Sequence, residues 1–276
     1  MKQISEVMKQ TTSESKESDC KKCDKCGEPI ERVTYLPGFD RYITGPVMCR
    51  CKKEALKGKE IEEKNKEKQL RLKQIINNSL MDEKFKKSRF ENWDHKRGSE
   101  KIFNIGTKYA ANFSKVKKEG IGLLIYGPPG NGKTYASSCI ANELIDRLVP
   151  VICISVNGLL EKIKQTFNTW GKEGEETILR SLSNADLLII DDLGTEQETD
   201  WSQTRIYNIL DSRYRNGLPI IVTTNFKLEE LKEKYHQRTY DRLIEMCTPV
   251  LNDGKSIRAE KAKEKTKILS EILKGD

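Results

Sequence analysis

The chain has 276 residues, 33% of them charged, and its 50 lysines and arginines outnumber its 42 aspartates and glutamates by eight. A chain of this length holds one full-sized domain and an appendage, since single domains usually have about 100 to 200 residues. Its apolar runs are far shorter than the roughly 20 residues that cross a bilayer, and its polar N-terminus has no signal segment, so a membrane-spanning protein is excluded and a cytoplasmic location is expected.

Two segments precede the main domain. Residues 1–19 are polar, with few branched or aromatic side chains, and are predicted to form a disordered leader. Residues 20–51 carry five of the eight cysteines. This turn-rich segment is too short to build its own core, and disulfides are rare in the cytosol, so metal binding is the better explanation.

Two close pairs of cysteines suit a tetrahedral zinc ion: Cys23 with Cys26, and Cys49 with Cys51. Cys20 leaves an alternative open, because its spacing from Cys23 is also that of a pair. We predict the later four cysteines as zinc ligands, and residues 20–51 as a zinc-binding module that depends on the metal to fold. The remaining cysteines are predicted to be small core residues, namely Cys139, Cys153 and Cys247.

Residues 52–84 are rich in charge and lack a sustained apolar repeat, which predicts a charged, solvated helical linker. Residues 85–258 are predicted to form a globular domain. Short apolar runs separated by segments of helical length predict buried parallel strands in it, at 121–126, 151–155, 187–190 and 218–223. Strands that alternate with helices indicate an α/β sandwich. Residues 259–276 are predicted to be a charged tail.

A phosphate-binding loop with the pattern G-x-x-x-x-G-K-[ST] lies between the first of these strands and a helix. Its residues are Gly127, Pro128, Pro129, Gly130, Asn131, Gly132, Lys133 and Thr134. The glycines let backbone N–H groups converge on phosphates at the positive end of the helix dipole. Lys133 is predicted to contact the β and γ phosphates of a nucleotide, and the Thr134 hydroxyl to bind Mg²⁺.

Two later strands end in side chains that suit the same chemistry. Asp191 and Asp192 follow the run 187–190, where a buried carboxylate requires a cation or another partner. We predict that Asp191 binds Mg²⁺, directly or through water, and that Asp192 orients or activates the attacking water. Asn225 ends another strand at the edge where ligands of open α/β sheets bind. It is predicted to position that water, with a turn-forming role as the alternative.

The motifs GPPGNGKT, LLIIDDLG, TTNF and YDRL, in this order, resemble those of AAA+ ATPases of the DnaC/DnaI helicase-loader type, to which the transposition helper IstB is closely related. The resemblance extends from Phe90 to Arg258. It implies an AAA+ P-loop fold, ATP and Mg²⁺ as ligands, and slow hydrolysis that partners stimulate. The short remainder after the last apparent strand, near Val250 and Leu251, leaves no room for a full helical lid domain.

The resemblance also implies roles for three residues outside the phosphate loop. Arg242 matches the arginine finger that completes the ATP site of a neighbouring subunit. Arg238 lies on the same helix face and is expected to assist, and for both arginines a solvated or salt-bridging side chain is the alternative. Phe90 corresponds to a segment beside the adenine, with simple core packing as the alternative.

In the family a helical insertion after the second strand contacts single-stranded DNA, and residues 157–169 correspond to it. Lys162, Lys164 and Phe167 provide the mixture of basic and aromatic groups that single strands favour. A solvated amphipathic helix explains these residues equally well.

Zinc modules similar to residues 20–51 stand at the N-terminus of DnaI-like and phage-type loaders, where they are associated with the replicative helicase. The resemblance therefore implies a loader that binds a hexameric helicase of the DnaB type, self-associates through its ATP site and delivers the helicase to single-stranded DNA. One alternative is an IstB-like transposition helper that binds duplex DNA. Another is a nucleotide-gated adaptor with little hydrolysis, because Asp192 is shorter than the glutamate more often found there.

Overall fold

The computed structural model describes residues 20–75 and 86–274, so the predicted leader and the end of the predicted linker lie outside the described residues. The chain divides between Lys64 and Asn65 into two compact units. The division falls inside one continuous helix, α1 (Arg50–Ile75). None of the helices in the described ranges is both long and apolar enough to span a membrane.

The N-terminal unit contains a small antiparallel hairpin. Strand β1 (Glu31–Leu36) pairs with β2 (Arg41–Pro46), and Tyr35 lies opposite Tyr42. Aromatic side chains of the hairpin remain exposed, with Phe39 in the turn 74% accessible. The unit thus has little apolar core of its own, as expected for a short segment rich in turns.

The second unit contains a five-stranded parallel sheet, which confirms the predicted α/β class. Its strands are β3 (Gly122–Tyr126), β4 (Val151–Ser155), β5 (Leu187–Asp191), β6 (Ile220–Thr224) and β7 (Cys247–Leu251). Their order across the sheet is β4-β5-β6-β3-β7. Strand β3, which precedes the phosphate loop, therefore lies between β6 and β7.

Helices cover both faces of this sheet. They are α2 (Glu100–Ala111), α3 (Phe113–Lys118), α4 (Lys133–Asp146), α5 (Val156–Asn184), α6 (Asp200–Arg215), α7 (Leu228–Lys234) and α8 (Gln237–Met246). A further helix, α9 (Ile257–Lys274), follows the last strand and is largely exposed. Neighbouring residues of β3 point to opposite faces: Leu123 belongs to the core under α2 and α4, and Leu124 to the core under α5, α6 and α8. The three predicted core cysteines are all buried.

Helix α6 shows how local sequence sets the ends of these elements. Its N-cap Thr199 accepts a hydrogen bond from the Ser202 N–H. The helix ends before Asn216, and Gly217, with a φ of +61°, has the left-handed conformation that commonly follows a helix C-terminus.

The predicted linker is helical as far as Ile75, but it is not solvated along its whole described length. Gln69 of α1 is buried, at 8% exposure, and its side-chain amide pairs with both backbone groups of Val151 in β4. Gln69 Nε2 donates to the Val151 carbonyl at 3.2 Å, and the Val151 N–H donates to Gln69 Oε1 at 2.8 Å. Since β4 is an edge strand, its outer backbone groups need partners, and a glutamine amide supplies them as a neighbouring strand would.

Candidate nucleotide-binding site and cysteine cluster

The phosphate loop runs from the end of β3 to the start of α4, as predicted. Three of its residues require glycine conformations, with φ of +139° at Gly127, +81° at Gly130 and +94° at Gly132. A Cβ atom on Gly127 would also lie 2.1 Å from the carbonyl oxygen of Asn252. Only glycine fits this close approach, and the resulting path turns the loop around the N-terminus of α4.

Lys133 lies at the centre of this loop, only 4% exposed. Its Nζ donates to the carbonyl oxygens of Gly127 at 2.8 Å and Pro128 at 2.7 Å, and to Asn225 Oδ1 at 2.8 Å. Burial lowers the pKa of the ammonium to about 8, although the carboxylates of Asp192 and Asp191 oppose the shift. The structure thus brings together Lys133, predicted to contact the phosphates, and Asn225, predicted to position the attacking water.

Asp191 and Asp192 lie at the carboxyl end of β5, beside Thr223 of β6. The Thr223 hydroxyl donates to Asp191 Oδ1 at 2.5 Å and accepts from the Asp192 N–H at 3.0 Å. Burial raises the pKa of the Asp191 carboxyl to about 6, against the opposing hydrogen bonds from Thr223 and Thr134. A buried carboxylate beside the Thr134 hydroxyl is a donor set that fits Mg²⁺.

Asp192 adopts a left-handed conformation, with φ of +55°. Its Oδ1 accepts a hydrogen bond from Asn225 Nδ2 at 3.3 Å. Asn225 therefore connects Asp192 to Lys133 through its two amide atoms. Sequence reasoning did not single out Thr223, although its place two residues before Asn225 at a strand end was a usable signal.

A cleft of about 430 Å³ opens beside the phosphate loop. The cleft is lined by Pro129, Gly130, Gly132, Lys133, Thr134, Tyr135, Asp192, Asn225, Ile257, Arg258, Lys261, Ala262 and Lys265. Residues after Arg258, expected as a charged tail, thus form a helix that contributes cations to the cleft. Their spacing along α9 places Arg258, Lys261 and Lys265 on one helix face, a signal that the sequence contained.

Helix α9 is held next to this cleft by ion pairs. Arg97 Nε lies 3.6 Å from Glu260 Oε2, and a terminal nitrogen of Arg97 contacts Glu264. The Arg258 N–H also donates to the Gly130 carbonyl at 3.3 Å. A single helix therefore covers part of the site.

Phe90 packs inside the domain. Its ring lies 5.8 Å from that of Phe103, edge to face, and 6.4 Å from that of Trp93. It is not among the described residues that line the cleft. The cleft-lining aromatic residue is Tyr135, directly after Thr134, and its ring lies 5.8 Å from that of Trp93.

Both candidate arginines lie on α8, and neither lines the cleft as the structure describes it. Arg242 is held within its own chain: a terminal nitrogen lies 3.3 Å from Asp211 Oδ1, and the guanidinium lies 3.8 Å from the centre of the Tyr214 ring. Arg238 is exposed. Neither arginine therefore belongs to the described nucleotide cleft of its own chain.

The predicted DNA-contacting insertion is the first half of the long helix α5. Lys164 Nζ lies 5.0 Å above the ring of Trp201, which begins the neighbouring helix α6. Lys162 lies on the same helix, and the Phe167 side chain is outside the described residues. Trp201, which also has the Arg205 guanidinium 5.7 Å from its ring, is a partly buried aromatic residue packed against the core, and sequence reasoning missed it.

In the N-terminal unit the structure brings together the sulfur atoms of four cysteines, namely Cys23, Cys26, Cys49 and Cys51. All four lie within 4.8 Å of one another, and Cys20 is not among them. A tetrahedral zinc site with bonds of about 2.3 Å places its sulfurs about 3.8 Å apart, so the cluster fits this metal. Backbone N–H groups of Lys25 and Cys26 lower the pKa of the Cys23 thiol to about 6, which favours the thiolate that binds metal.

The fold and the site together define a P-loop ATPase of the AAA+ type. The family model "IstB-like ATP binding protein" matches residues 59–266, and the chain belongs to this family.

The relatives of this chain include replication proteins. It is 32% identical over 180 residues to the "Replicative helicase loader DnaC" of Buchnera aphidicola subsp. Baizongia pistaciae, a match that covers 64% of this chain and 72% of that protein. It is 35% identical over 121 residues to DnaC of Escherichia coli K12, covering 44% of this chain and 49% of the relative.

The solved "Crystal structure of the DnaC helicase loader" aligns with a TM-score of 0.53 at 21% identity. The alignment covers 61% of this chain and 98% of that one. At this identity the likeness concerns the fold.

Proposed function

We propose that this protein is an ATP-dependent loader that binds a replicative DNA helicase and delivers it to single-stranded DNA. The observation that carries the proposal is the similarity to proteins named replicative helicase loader, at 32% identity over 180 residues in the first of them. The nucleotide site supports it, because a loader of this kind needs a switch that ATP sets and hydrolysis resets.

In the proposed mechanism Lys133 and the loop amides hold the phosphates, and the cations of α9 neutralise charge at the cleft entrance. Thr134 and Asp191 hold Mg²⁺, which when bound draws charge from the phosphate oxygens. Asp192 and Asn225, joined by a hydrogen bond of 3.3 Å, orient the attacking water. Lys133, Thr134, Asp191, Asp192 and Asn225 lie at strand ends or at the start of a helix, so their backbone positions are set by the fold before nucleotide binds.

The catalytic arginine is proposed to come from a neighbouring subunit. Arg242 is the first candidate, and Arg238 lies one helical turn before it. In the chain on its own, Arg242 is paired with Asp211, so entry into a neighbouring site exchanges this ion pair for the developing charge on the phosphoryl group. Hydrolysis is then slow in the isolated chain and is stimulated when assembly brings two copies together.

The four-cysteine cluster is proposed to bind zinc and to fold the N-terminal unit for contact with the helicase. The fit of four sulfurs to a tetrahedral ion supports the metal, and the similarity of the module to those of DnaI-like loaders supports the partner. Helix α5 is proposed to contact single-stranded DNA, with Lys164 and Trp201 forming a cationic aromatic surface of the kind single strands bind.

The test combines a pull-down with turnover measurements. Purified chain is expected to retain the replicative helicase, and a zinc chelator to abolish retention. With helicase and single strand present, Lys133→Ala is expected to lose nucleotide binding. Arg242→Ala is expected to keep binding and lose stimulated hydrolysis, and Arg238→Ala, at the assisting arginine, is expected to lose less of it. No affinity for adenine nucleotides with magnesium would overturn the whole proposal.

A second candidate function is that of a transposition helper, which the name of the family, IstB-like ATP binding protein, favours. The N-terminal cysteine cluster argues against it. Competition between a duplex and a single strand of the same sequence separates the two functions: preference for the duplex, without retention of the helicase, would support the helper. ATP binding without turnover, with all partners present, would instead indicate a nucleotide-gated adaptor.

A further inference from the structure

Glu196 is a buried carboxylate close to the nucleotide site. Its residue is 4% exposed, and in the described part of the chain no lysine or arginine forms an ion pair with it. Instead, Glu196 Oε2 accepts from the Gly194 N–H at 2.9 Å, and Oε1 accepts a short hydrogen bond from the Tyr235 hydroxyl. A carboxylate buried without a cation depends on such donors.

The first of these partners belongs to the loop after β5. Gly194 lies two residues after Asp192, and its φ is +99°. A Cβ atom there would lie 2.7 Å from the Phe226 ring, which directly follows Asn225. The Glu196 carboxylate thus holds the segment that carries the predicted metal-binding and water-orienting aspartates.

The second partner, Tyr235, lies in the junction between α7 and α8, two residues before α8 begins. Tyr235 is 3% exposed and ends α7. The next residue, His236, is the N-cap of α8, and its carbonyl accepts from the Thr239 N–H at 2.8 Å. A second contact secures the junction, since Gln203 Nε2 donates to the Lys234 carbonyl at 3.0 Å.

We propose that Glu196 and Tyr235 are positioning residues that couple the Asp191–Asp192 loop to α8, the helix that carries Arg242. The pair links the nucleotide site of a subunit to the arginine which that subunit offers to its neighbour. A shift of the loop is passed to α8, because a buried carboxylate cannot leave its donor without a large loss of free energy. The inference rests on the proposed function, in which Arg242 acts in a second copy of the chain.

The test is Tyr235→Phe, which removes one hydroxyl group and keeps the ring. With helicase and single strand present, kcat is expected to fall about tenfold, because the arginine is misplaced by a fraction of an ångström. KM for ATP and the nucleotide affinity of the isolated chain are expected to stay within about twofold of the parent, since Tyr235 does not touch the cleft. Tyr240→Phe, the same substitution on α8 itself, is the control and is expected to leave turnover unchanged.

A double variant distinguishes positioning of the arginine from a general structural role. In the Arg242→Ala background, Tyr235→Phe is expected to cause no further loss, because the group it positions is absent. If thermal unfolding shows that Tyr235→Phe does not fold, Glu196→Gln replaces it, since the amide keeps an acceptor oxygen.

Unchanged stimulated turnover in a folded variant would overturn the inference, as would an equal further loss in the Arg242→Ala background. A parent protein that shows no partner-stimulated turnover would instead overturn the proposed function, so the two failures are distinguishable.

Discussion

The side-chain amides of Asn131 and Asn252 each donate a hydrogen bond to the backbone carbonyl of the other residue. Asn131 Nδ2 donates to the Asn252 oxygen at 2.6 Å, and Asn252 Nδ2 donates to the Asn131 oxygen at 3.2 Å. Both residues are buried, and the Asn252 N–H also donates to the Tyr126 carbonyl at 2.8 Å. The phosphate loop is thereby fixed to the segment that follows β7.

Asn252→Ala is expected to lower the free energy of unfolding by about 1 to 2 kcal/mol, because it leaves the Asn131 carbonyl without its buried donor. Nucleotide affinity is expected to fall as the loop loosens. Chemical denaturation and titration with a fluorescent nucleotide measure the two effects. Asn104→Ala, on the exposed face of α2, is the control, and equal effects from both variants would contradict the prediction.

Nucleotide affinity is expected to decrease as pH rises through 8. Burial lowers the pKa of Lys133 to about 8 in the free protein, and bound phosphates raise it by their negative charge. Binding therefore takes up a proton wherever the free lysine is neutral. The expected uptake is about 0.8 proton per nucleotide at a pH half a unit above this pKa and about 0.1 at a pH one unit below it.

Calorimetric titration in buffers with different ionisation enthalpies measures this proton uptake. Lys133→Arg is the matched control, because a guanidinium stays charged throughout this range. Any nucleotide that this variant still binds is expected to bind without proton uptake from the side chain. Identical uptake in both proteins would assign the proton to another group.

Removing one cation of α9 is expected to weaken triphosphate binding. Lys261 lines the cleft, and Lys261→Gln removes its charge while keeping a side chain of similar length. A loss of about threefold in affinity for ATP is expected, because an exposed charge contributes little binding free energy. The loss for AMP is expected to be smaller, because AMP carries fewer negative charges.

Lys263→Gln on the same helix is the comparison, since Lys263 is exposed and does not line the cleft. Equal losses in the two variants would indicate a general effect of net charge.

Zinc content is expected to depend on Cys26 but not on Cys20. Cys26 belongs to the four-sulfur cluster and Cys20 does not. Cys26→Ser is expected to lose the metal and with it the fold of the N-terminal unit, because the metal replaces a core there. Cys20→Ser is expected to retain one zinc per chain. Elemental analysis measures the zinc content of each variant, and loss of zinc from the Cys20 variant would indicate that Cys20 is also a ligand.

Local patterns in the sequence were enough to predict the sheet and the centre of the site. The phosphate loop, the aspartates after β5 and Asn225 each follow an apolar run, and parallel strands bring their carboxyl ends to one edge. Their proximity follows from the class of fold alone. The pairing of Lys133 with Asn225 at 2.8 Å is the direct result.

Contacts across long stretches of chain could not be predicted. The reciprocal hydrogen bonds between Asn131 and Asn252 join two loops, and no local sequence pattern around either residue indicates that the two are in contact. The return of α9 to the cleft depends on its ion pairs with Arg97, which lies in a different part of the chain. The burial of Glu196 could not be predicted from the sequence either, because a carboxylate near a turn is usually solvated. It is seen only in the structure, where Tyr235 packs against this carboxylate.

The glutamine that pairs with the edge of the sheet has a consequence for solubility. The N–H and C=O groups of Val151 both end on Gln69, so this part of the outermost strand offers nothing to which a foreign strand could add. A bare strand edge invites stacking between molecules. Helix α1 thus blocks strand addition at Val151, and a truncation that begins after Gln69 would free these two backbone groups for pairing with another chain.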